Sequence, residues 1–220
     1  MAEKGIILAD LKEKAIYEGQ VLLEPIFPKK AFYEFLPSRF ENNLILEKAR
    51  EYFIDNNIYI YGNHVGAGKT HLAYSLIREN CFSFKIIKTS DTYKVQPILK
   101  QIEQKTPAQI FRDSRKSKNA FEEDDFFDRY FKCVLLVDDL GTEKITDYAY
   151  QVIYEILNGR LMCGTKKMII TSNYSLDDLA RIIDMSVAGK GLNISGKRIS
   201  SRIAGMCKVV KLEGKDWRIN

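Results

Sequence analysis

Short apolar runs alternate with segments whose apolar residues recur at helical spacing along most of the chain. The runs predict strands at the apolar stretch that starts at residue 57 and over 84–89, 132–137, 167–171 and 208–212. The helical spacing predicts helices over 44–52, 71–77, 92–103 and 147–161. Because the strands are apolar on both faces, they suit a sheet that helices cover. The pattern predicts an α/β fold with a parallel five-stranded sheet between helices.

The first 40 residues have a different pattern. A helix is predicted over 8–23, and Pro25 and Pro28 follow it as helix breakers. The next stretch, 31–40, is aromatic and contains Phe32, Tyr33, Phe35 and Phe40. We predict a short N-terminal arm, residues 1–40, and a main domain, residues 41–220. The arm either packs on its own domain or docks on another protein.

Composition places the chain among ordinary globular proteins, with 45% hydrophobic and 29% charged residues. Its 220 residues suffice for one domain with a short appendage. The four cysteines include no Cys-x-x-Cys pair and there are two histidines, so no zinc module is expected. The chain has no signal peptide and no long apolar segment, which predicts a cytoplasmic protein that does not enter a membrane.

The net charge of +5 is compatible with a nucleic-acid partner without requiring one. Residues 112–128 form a block in which basic residues precede acidic ones. The block is either a solvated surface or a mobile basic element near nucleic acid. The candidates for DNA contact are Lys94, Lys100, Arg112, Arg115 and Lys190.

A glycine-rich loop between the first strand and the helix that follows predicts a nucleotide-phosphate site. Backbone N–H groups of such a loop and of the helix N-terminus point at phosphates. Lys69 would reach the β- and γ-phosphates, and the Thr70 hydroxyl would ligate Mg²⁺. The nucleotide-binding residues predicted here are Gly62, Asn63, Val65, Gly66, Ala67, Gly68, Lys69, Thr70 and His71.

The loop departs from the usual spacing at one position. The first glycine of the motif would fall at Asn63, and the chain has its glycine one residue earlier, at Gly62. Asparagine tolerates a positive φ better than most residues. We therefore expect the turn to form with Asn63 in this place.

Two further strands end in polar residues that suit phosphate chemistry. The run at 132–137 leads into Asp138 and Asp139, and the run at 167–171 leads into Ser172 and Asn173. Ligands lie at the carboxyl ends of strands in open α/β sheets. Asp138 would hold Mg²⁺, Asp139 would act as general base toward water, and Asn173 would bond that water and the γ-phosphate.

Two arginines four residues apart, Arg198 and Arg202, lie on one face of a predicted helix. A guanidinium suits phosphate contact, and Arg202 could complete the γ-phosphate site of a neighbouring subunit. The alternative is a basic helix face that contacts DNA or solvent.

These motifs together resemble the AAA+ ATPases of the DnaC and DnaI helicase loaders, and the IstB transposition helpers share them. The strings that carry the resemblance are Gly68-Lys69-Thr70-His71-Leu72-Ala73, Val137-Asp138-Asp139-Leu140-Gly141, Ile170-Thr171-Ser172-Asn173 and Arg198-Ile199-Ser200-Ser201-Arg202-Ile203. The resemblance covers about residues 40 to 219. It implies an AAA+ P-loop NTPase core that lacks the C-terminal helical lid domain.

The resemblance also implies residue roles and cofactors. Lys69 and Thr70 would bind phosphate and Mg²⁺, and Asp138 and Asp139 would be the Walker B acids. Asn173 would be sensor 1, and Arg202 would be the arginine finger with Arg198 beside it. Arg218 lies where some members place a last phosphate-sensing arginine. The cofactors would be ATP or ADP with Mg²⁺.

The implied function is a DNA-replication ATPase that loads or remodels a hexameric replicative helicase of the DnaB type on single-stranded DNA. Subunits would associate through Arg202 in trans. An IstB-like helper that binds duplex DNA, and a binding module that uses ATP as a switch with little turnover, stay open. A small-molecule kinase fits less well, because the strand ends suit ATP hydrolysis better.

Overall fold

The structure, a computed structural model, describes residues 27–28, 33–80, 82–88, 93–117, 119–164, 167–187 and 194–213. Its strands are β1 (Asn57–Tyr61), β2 (Phe82–Lys88), β3 (Tyr93–Leu99), β4 (Ile102–Lys105), β5 (Val134–Leu140), β6 (Met168–Ser172) and β7 (Cys207–Lys211). Its α-helices are α1 (Asn43–Asp55), α2 (Lys69–Asn80), α3 (Pro107–Ser114), α4 (Ala120–Lys132), α5 (Asp147–Cys163), α6 (Leu176–Val187) and α7 (Ser195–Met206).

Five strands form a parallel sheet in the order β4-β5-β6-β1-β7. Side chains on each strand alternate between two apolar clusters, one on each face of the sheet. On β1, Tyr59 joins the cluster that α3 to α7 cover, and Ile58 and Ile60 join the cluster that α1 and α2 cover. The predicted α/β architecture with a parallel five-stranded sheet between helices is confirmed.

The strand predicted over 84–89 is confirmed as β2, although it lies outside the parallel sheet, and the helix predicted over 92–103 is wrong. In place of a helix over 92–103 the structure has β3 and β4, and β2 pairs with β3 as an antiparallel ribbon outside the main sheet. The predicted helix would have Pro97 in its interior, at a cost of roughly 3 kcal/mol. A two-stranded ribbon leaves each strand a free edge that accepts proline. The edge of the parallel sheet is formed by β4.

The charge block at 112–128 falls on the end of α3 and on α4. Asn119 caps α4 by accepting a hydrogen bond from the Glu122 N–H at 2.9 Å, and acidic residues in the first turn suit the helix dipole. Glu122, Glu123 and the two following aspartates are exposed, whereas Tyr130 is buried in the core. The acidic part of the block is thus a solvated helix face, and the role of its basic residues stays a prediction. β5 starts two residues later than predicted because α4 ends at Lys132.

Phe27, Phe35 and Phe40 of the N-terminal arm pack on α2. Phe27 is 3% exposed, and its ring lies 5.0 Å from that of Tyr74. Phe40 is also buried in the cluster under α1 and α2, whereas Tyr33 is exposed. Of the two alternatives for the arm, these residues fit packing on its own domain. The helix predicted over 8–23 lies outside the described residues, and the boundary at residue 40 stays a prediction.

Within the described part of the chain, no helical domain follows β7. None of the described helices is both long enough and apolar enough to cross a membrane.

Candidate nucleotide-binding site

A cavity of about 740 Å³ lies at the carboxyl ends of β1, β5 and β6. Four parts of the chain surround it: the arm and the start of α1, the glycine loop with the start of α2, the ends of β5 and β6, and the residues after β7. The lining residues are Glu34, Phe35, Arg39, Phe40, Glu41, Asn42, Val65, Gly66, Ala67, Gly68, Lys69, Thr70, His71, Asp139, Asn173, Leu212 and Glu213. The cavity therefore lies where open α/β sheets bind ligands.

Two glycines of the loop supply its left-handed turns. Gly66 and Gly68 have φ of 81° and 90°, values that glycine adopts without steric cost. Among the described residues, the non-glycine with positive φ is Asp139, not Asn63. The loop therefore forms with Asn63 in this place, as expected, but does not use the positive φ that asparagine tolerates.

A tertiary contact explains why the first glycine of the loop lies at residue 62. A Cβ at Gly62 would collide with the carbonyl oxygen of Leu212, which follows β7. The Leu212 N–H also donates to the Tyr61 carbonyl at 2.7 Å, so the two segments are tied together. Glycine is needed at 62 because another backbone passes beside it.

Lys69 and Thr70 begin α2 at the base of the cavity. The Lys69 ammonium donates to the Gly62 carbonyl at 2.9 Å and to the His64 carbonyl at 3.0 Å, so it lies against the loop. The Thr70 hydroxyl lies 3.1 Å from Asp138 Oδ1. A hydroxyl and a carboxylate are oxygen ligands of the kind that Mg²⁺ prefers. The residues present therefore fit a phosphate group and a magnesium ion.

The acid pair lies in a β-bulge at the end of β5. Val137 pairs with Ile170 and Leu140 with Ser172, so Asp138 and Asp139 together face Thr171. Asp139 has a φ of 61° and lines the cavity. Bulges redirect side chains and are frequent beside active sites. Without the bulge, strand alternation would not direct both acids to one side.

Burial raises the pKa of Asp138 above its usual range, and the Asp139 charge raises it further. Hydrogen bonds from Thr171 and Thr70 and the Lys69 charge lower the same pKa. Asp138 is therefore held beside a cation and two donors in a place where its own charge is poorly solvated.

The loop after β6 carries Asn173 into the cavity lining. Ser172 Oγ donates to the Leu140 carbonyl at 2.7 Å and accepts from the Tyr174 N–H at 3.1 Å. The buried Tyr59 hydroxyl donates to the Tyr174 carbonyl at 2.8 Å. Contacts from β1 and β5 thus restrain the turn that contains Asn173.

His71 joins the arm to the cavity. Its Nε2 lies 2.8 Å from the Leu36 carbonyl oxygen, and its ring stacks on Phe35 at 5.2 Å. Burial lowers the pKa of His71, so the ring is neutral at pH 7. The predicted nucleotide-binding residue therefore also holds the arm in place.

Arg198 and Arg202 lie on α7 and are not among the described residues that line the cavity. The Arg202 guanidinium stacks on the Tyr154 ring at 4.0 Å and donates to the Tyr154 hydroxyl. It also donates to Asn158 Oδ1 at 3.3 Å. Arg202 is thus bound to α5 of its own chain. Arg218 and Lys190 lie outside the described residues.

The remaining DNA-contact candidates are spread over several elements. Lys94 lies on β3, and the Lys100 ammonium donates to the Asn80 carbonyl at 2.7 Å. Arg112 is exposed on α3, and Arg115 stacks on Tyr148 at 5.4 Å. Their assignment to DNA stays a prediction.

Sequence reasoning missed the roles of Thr171, Ser172 and Tyr59. Each is a polar side chain inside a strand that is otherwise apolar and buried. Burial of a hydroxyl is costly unless it is hydrogen-bonded. A polar residue inside an apolar strand could therefore have marked these three residues as hydrogen-bonded. The sequence does not reveal their partners, because these are not adjacent to them in the chain.

No protein-family model matches the chain, and no curated protein matches it in sequence. Among solved structures, the DnaC helicase loader has a TM-score of 0.51 and 21% identity, with 80% of this chain and 91% of that chain covered. DnaI has a TM-score of 0.51 and 19% identity, with 81% and 83% covered. AMPPCP-bound DnaA from Aquifex aeolicus has a TM-score of 0.51 and 19% identity, with 77% and 44% covered.

The chain thus spans less than half the length of that DnaA and most of the length of DnaC and DnaI. At these identities the likeness concerns the fold. The chain has the α/β fold of the AAA+ domains of DnaC and DnaI.

Proposed function

We propose that this chain binds ATP with Mg²⁺ and hydrolyses it. The observation that carries the proposal is that Lys69, Thr70, Asp139 and Asn173, from three separate segments of the chain, line one cavity. Asp138 contacts the Thr70 hydroxyl beside it. The fold shared with DnaC, DnaI and AMPPCP-bound DnaA supports it.

In the proposed reaction Lys69 and the loop N–H groups hold the phosphates, and Thr70 and Asp138 would hold Mg²⁺. The metal would neutralise charge on the β- and γ-phosphates. Asp139 takes a proton from water as the water oxygen attacks the γ-phosphorus, and Asn173 orients that water. The bond from the γ-phosphorus to the bridging oxygen breaks, and ADP and phosphate leave.

The test of turnover is Asp139→Asn, which keeps the size of the side chain and removes the base. We expect hydrolysis to fall about 10²- to 10⁴-fold, with ATP affinity retained. Asp124→Asn on the exposed face of α4 is the control. Equal hydrolysis in Asp139→Asn and the wild type would deny Asp139 a catalytic role, and negligible turnover in both would favour a module that uses ATP as a switch.

We further propose that the ATPase loads or remodels a hexameric helicase of the DnaB type on single-stranded DNA. DnaC is a helicase loader of the same fold, and this chain covers 91% of it. A DnaA of similar fold binds AMPPCP and single-stranded DNA. Subunits would associate so that Arg202 of one completes the site of the next.

The test is to mix the chain with the replicative helicase of the same source and measure mass by light scattering, with and without ATP and single-stranded DNA. A defined, ATP-dependent complex is expected. Assembly on duplex DNA without a helicase complex would favour the IstB-like alternative, compared at matched salt.

To test whether the arm docks on the helicase, the deletion must leave the contacts of the hydrophobic core in place. Removal of residues 1–40 would remove the buried Phe27 and Phe40 and the Leu36 contact to His71. Deletion of residues 1–26 leaves these contacts in place. Loss of the helicase complex with retained ATPase activity would assign docking to residues 1–26, and retention of the complex would refute it.

A further inference from the structure

We propose that Thr171 is the positioning residue that holds Asp138 and Asp139 in the arrangement required for Mg²⁺-nucleotide, a role that rests on the proposed ATPase function. The residue lies in β6, opposite the bulge, and is 0% exposed. It does not line the cavity, so it acts through its neighbours.

One hydroxyl contacts both acids. Thr171 Oγ1 donates to Asp138 Oδ1 at 2.6 Å and accepts the backbone N–H of Asp139 at 2.8 Å. A hydroxyl has one proton to donate, and here it goes to the carboxylate. The same oxygen thus orients one acid by its side chain and the other by its backbone.

The bulge makes this contact necessary. Asp139 has a φ of 61°, a conformation that non-glycine residues adopt at an energetic cost when their surroundings impose it. The bulge also takes the Asp139 N–H out of the regular strand pairing. Thr171 supplies the acceptor for that N–H, so the hydroxyl stabilises the conformation that brings Asp139 to the cavity.

The contact also fixes where metal ligands can lie. Asp138 Oδ1 is 3.1 Å from the Thr70 hydroxyl, the other ligand proposed for Mg²⁺. Partners of metal ligands orient them, and their loss typically costs 10- to 100-fold in metal affinity or activity. Lys69 donates hydrogen bonds to the Gly62 and His64 carbonyls of the glycine loop, and Thr171 takes no part in these bonds. Loss of the Thr171 hydroxyl should therefore affect the metal-dependent part of binding and leave the phosphate contacts.

The test compares Thr171→Val, which keeps the shape and removes the hydroxyl, with Thr171→Ser, which keeps the hydroxyl. Affinity for a fluorescent ATP analogue is measured in excess Mg²⁺ and in EDTA, together with ATP hydrolysis and thermal unfolding. Ser114→Ala is the matched control, because it removes a buried hydroxyl bonded to Tyr148 at 2.6 Å, away from the cavity.

For Thr171→Val we expect unchanged nucleotide affinity in EDTA. The increase in affinity that Mg²⁺ provides and the rate of hydrolysis should each fall about 10- to 100-fold. Thr171→Ser should restore both. If Thr171 were only structural, Thr171→Val would lower nucleotide affinity equally with and without Mg²⁺. Ser114→Ala, which also loses a buried hydroxyl, would then lower it in the same way. If Thr171→Val does not fold, Thr171→Cys replaces it, because a thiol is a weak donor of similar volume.

The outcomes separate this inference from the function on which it rests. A wild type without Mg²⁺-dependent nucleotide binding refutes the ATPase proposal and this role with it. A wild type that binds, with a Thr171→Val variant that keeps the full Mg²⁺ gain, refutes the role of Thr171 alone. Failure of Thr171→Ser to restore the gain also refutes it.

Discussion

The nucleotide cavity and the arginine face of α7, formed by Arg198 and Arg202, differ in how far a single chain completes them. At the cavity, Lys69 contacts the glycine loop, Thr70 contacts Asp138, and Thr171 contacts both acids. On α7, Arg202 contacts Tyr154 and Asn158 of its own chain and does not reach the cavity.

The difference separates two kinds of site. Charges at the cavity are compensated within the chain by loop carbonyls, hydroxyls and the Lys69 cation. The Arg202 guanidinium has aromatic and amide partners, and within the described part of the chain no carboxylate forms an ion pair with it. A site that one chain completes should work in dilute monomer, whereas Arg202 should matter only when a second chain is present.

The largest effect is expected for Lys69→Ala. It removes the cation that lies over the loop, and ATP binding should be abolished because charge-assisted contacts to phosphate are the strong ones. Isothermal titration measures this loss. Lys85→Ala on the exposed side of β2 is the control and should bind normally. Unimpaired affinity in Lys69→Ala would contradict the assigned site.

Arg202→Ala should reduce hydrolysis by about 10³- to 10⁵-fold in the assembled form and leave nucleotide affinity intact. In dilute monomer its hydrolysis should equal that of the wild type. Turnover measured against protein concentration distinguishes the two states. An equal loss at every concentration would show that the arginine acts within its own chain.

Gly62→Ala and Asn63→Gly test which loop position requires glycine. The Gly62→Ala methyl would meet the Leu212 backbone, and overpacking of this kind typically costs about 1–3 kcal/mol. Asn63→Gly should change nucleotide affinity less than about twofold, because Asn63 has no positive φ. Urea unfolding and nucleotide titration measure the pair. A larger effect at residue 63 would reverse the assignment.

The smallest effect concerns pH. Because burial raises the pKa of Asp138 in the folded chain, the folded state binds the proton more tightly than the unfolded state. The unfolding free energy therefore falls as the pH rises from the usual pKa of an aspartate, about 3.9, through the raised pKa of the folded state. Asp138→Asn should melt above the wild type at pH 7, and the difference should shrink at acid pH.

Asp124→Asn on α4 is the control for this shift, since its carboxyl is exposed. A lower melting temperature of Asp138→Asn at pH 7 would show that burial of the charge is not the dominant cost. Agreement would mean that the cavity keeps a destabilising acid, as functional sites often do.

Much of the candidate site could be predicted because local chemistry marks it. The glycines before Lys69 and Thr70, and acids directly after an apolar strand, are close in sequence. Each motif can therefore be recognised without knowledge of the fold. The helix over 92–103 failed for the opposite reason. Short apolar segments suit a helix or a strand, and the β2–β3 pairing that decides between them is tertiary.

Thr171 shows what a linear motif leaves out. It lies two residues before the predicted Asn173, yet its two partners lie more than 30 residues away, at Asp138 and Asp139. The bulge that joins them depends on the register of β5 against β6. Register is set by packing across strands, so sequence spacing does not reveal it.

The sequence by itself determined the α/β architecture and the residue types gathered at strand ends, because hydrophobic periodicity and turn chemistry act over a few residues. Only the tertiary structure decided why glycine is needed at position 62, the bulge at the acid pair and the contact of Arg202, on α7, with α5. Each of these depends on the approach of segments far apart in the chain, and local preferences do not specify such contacts.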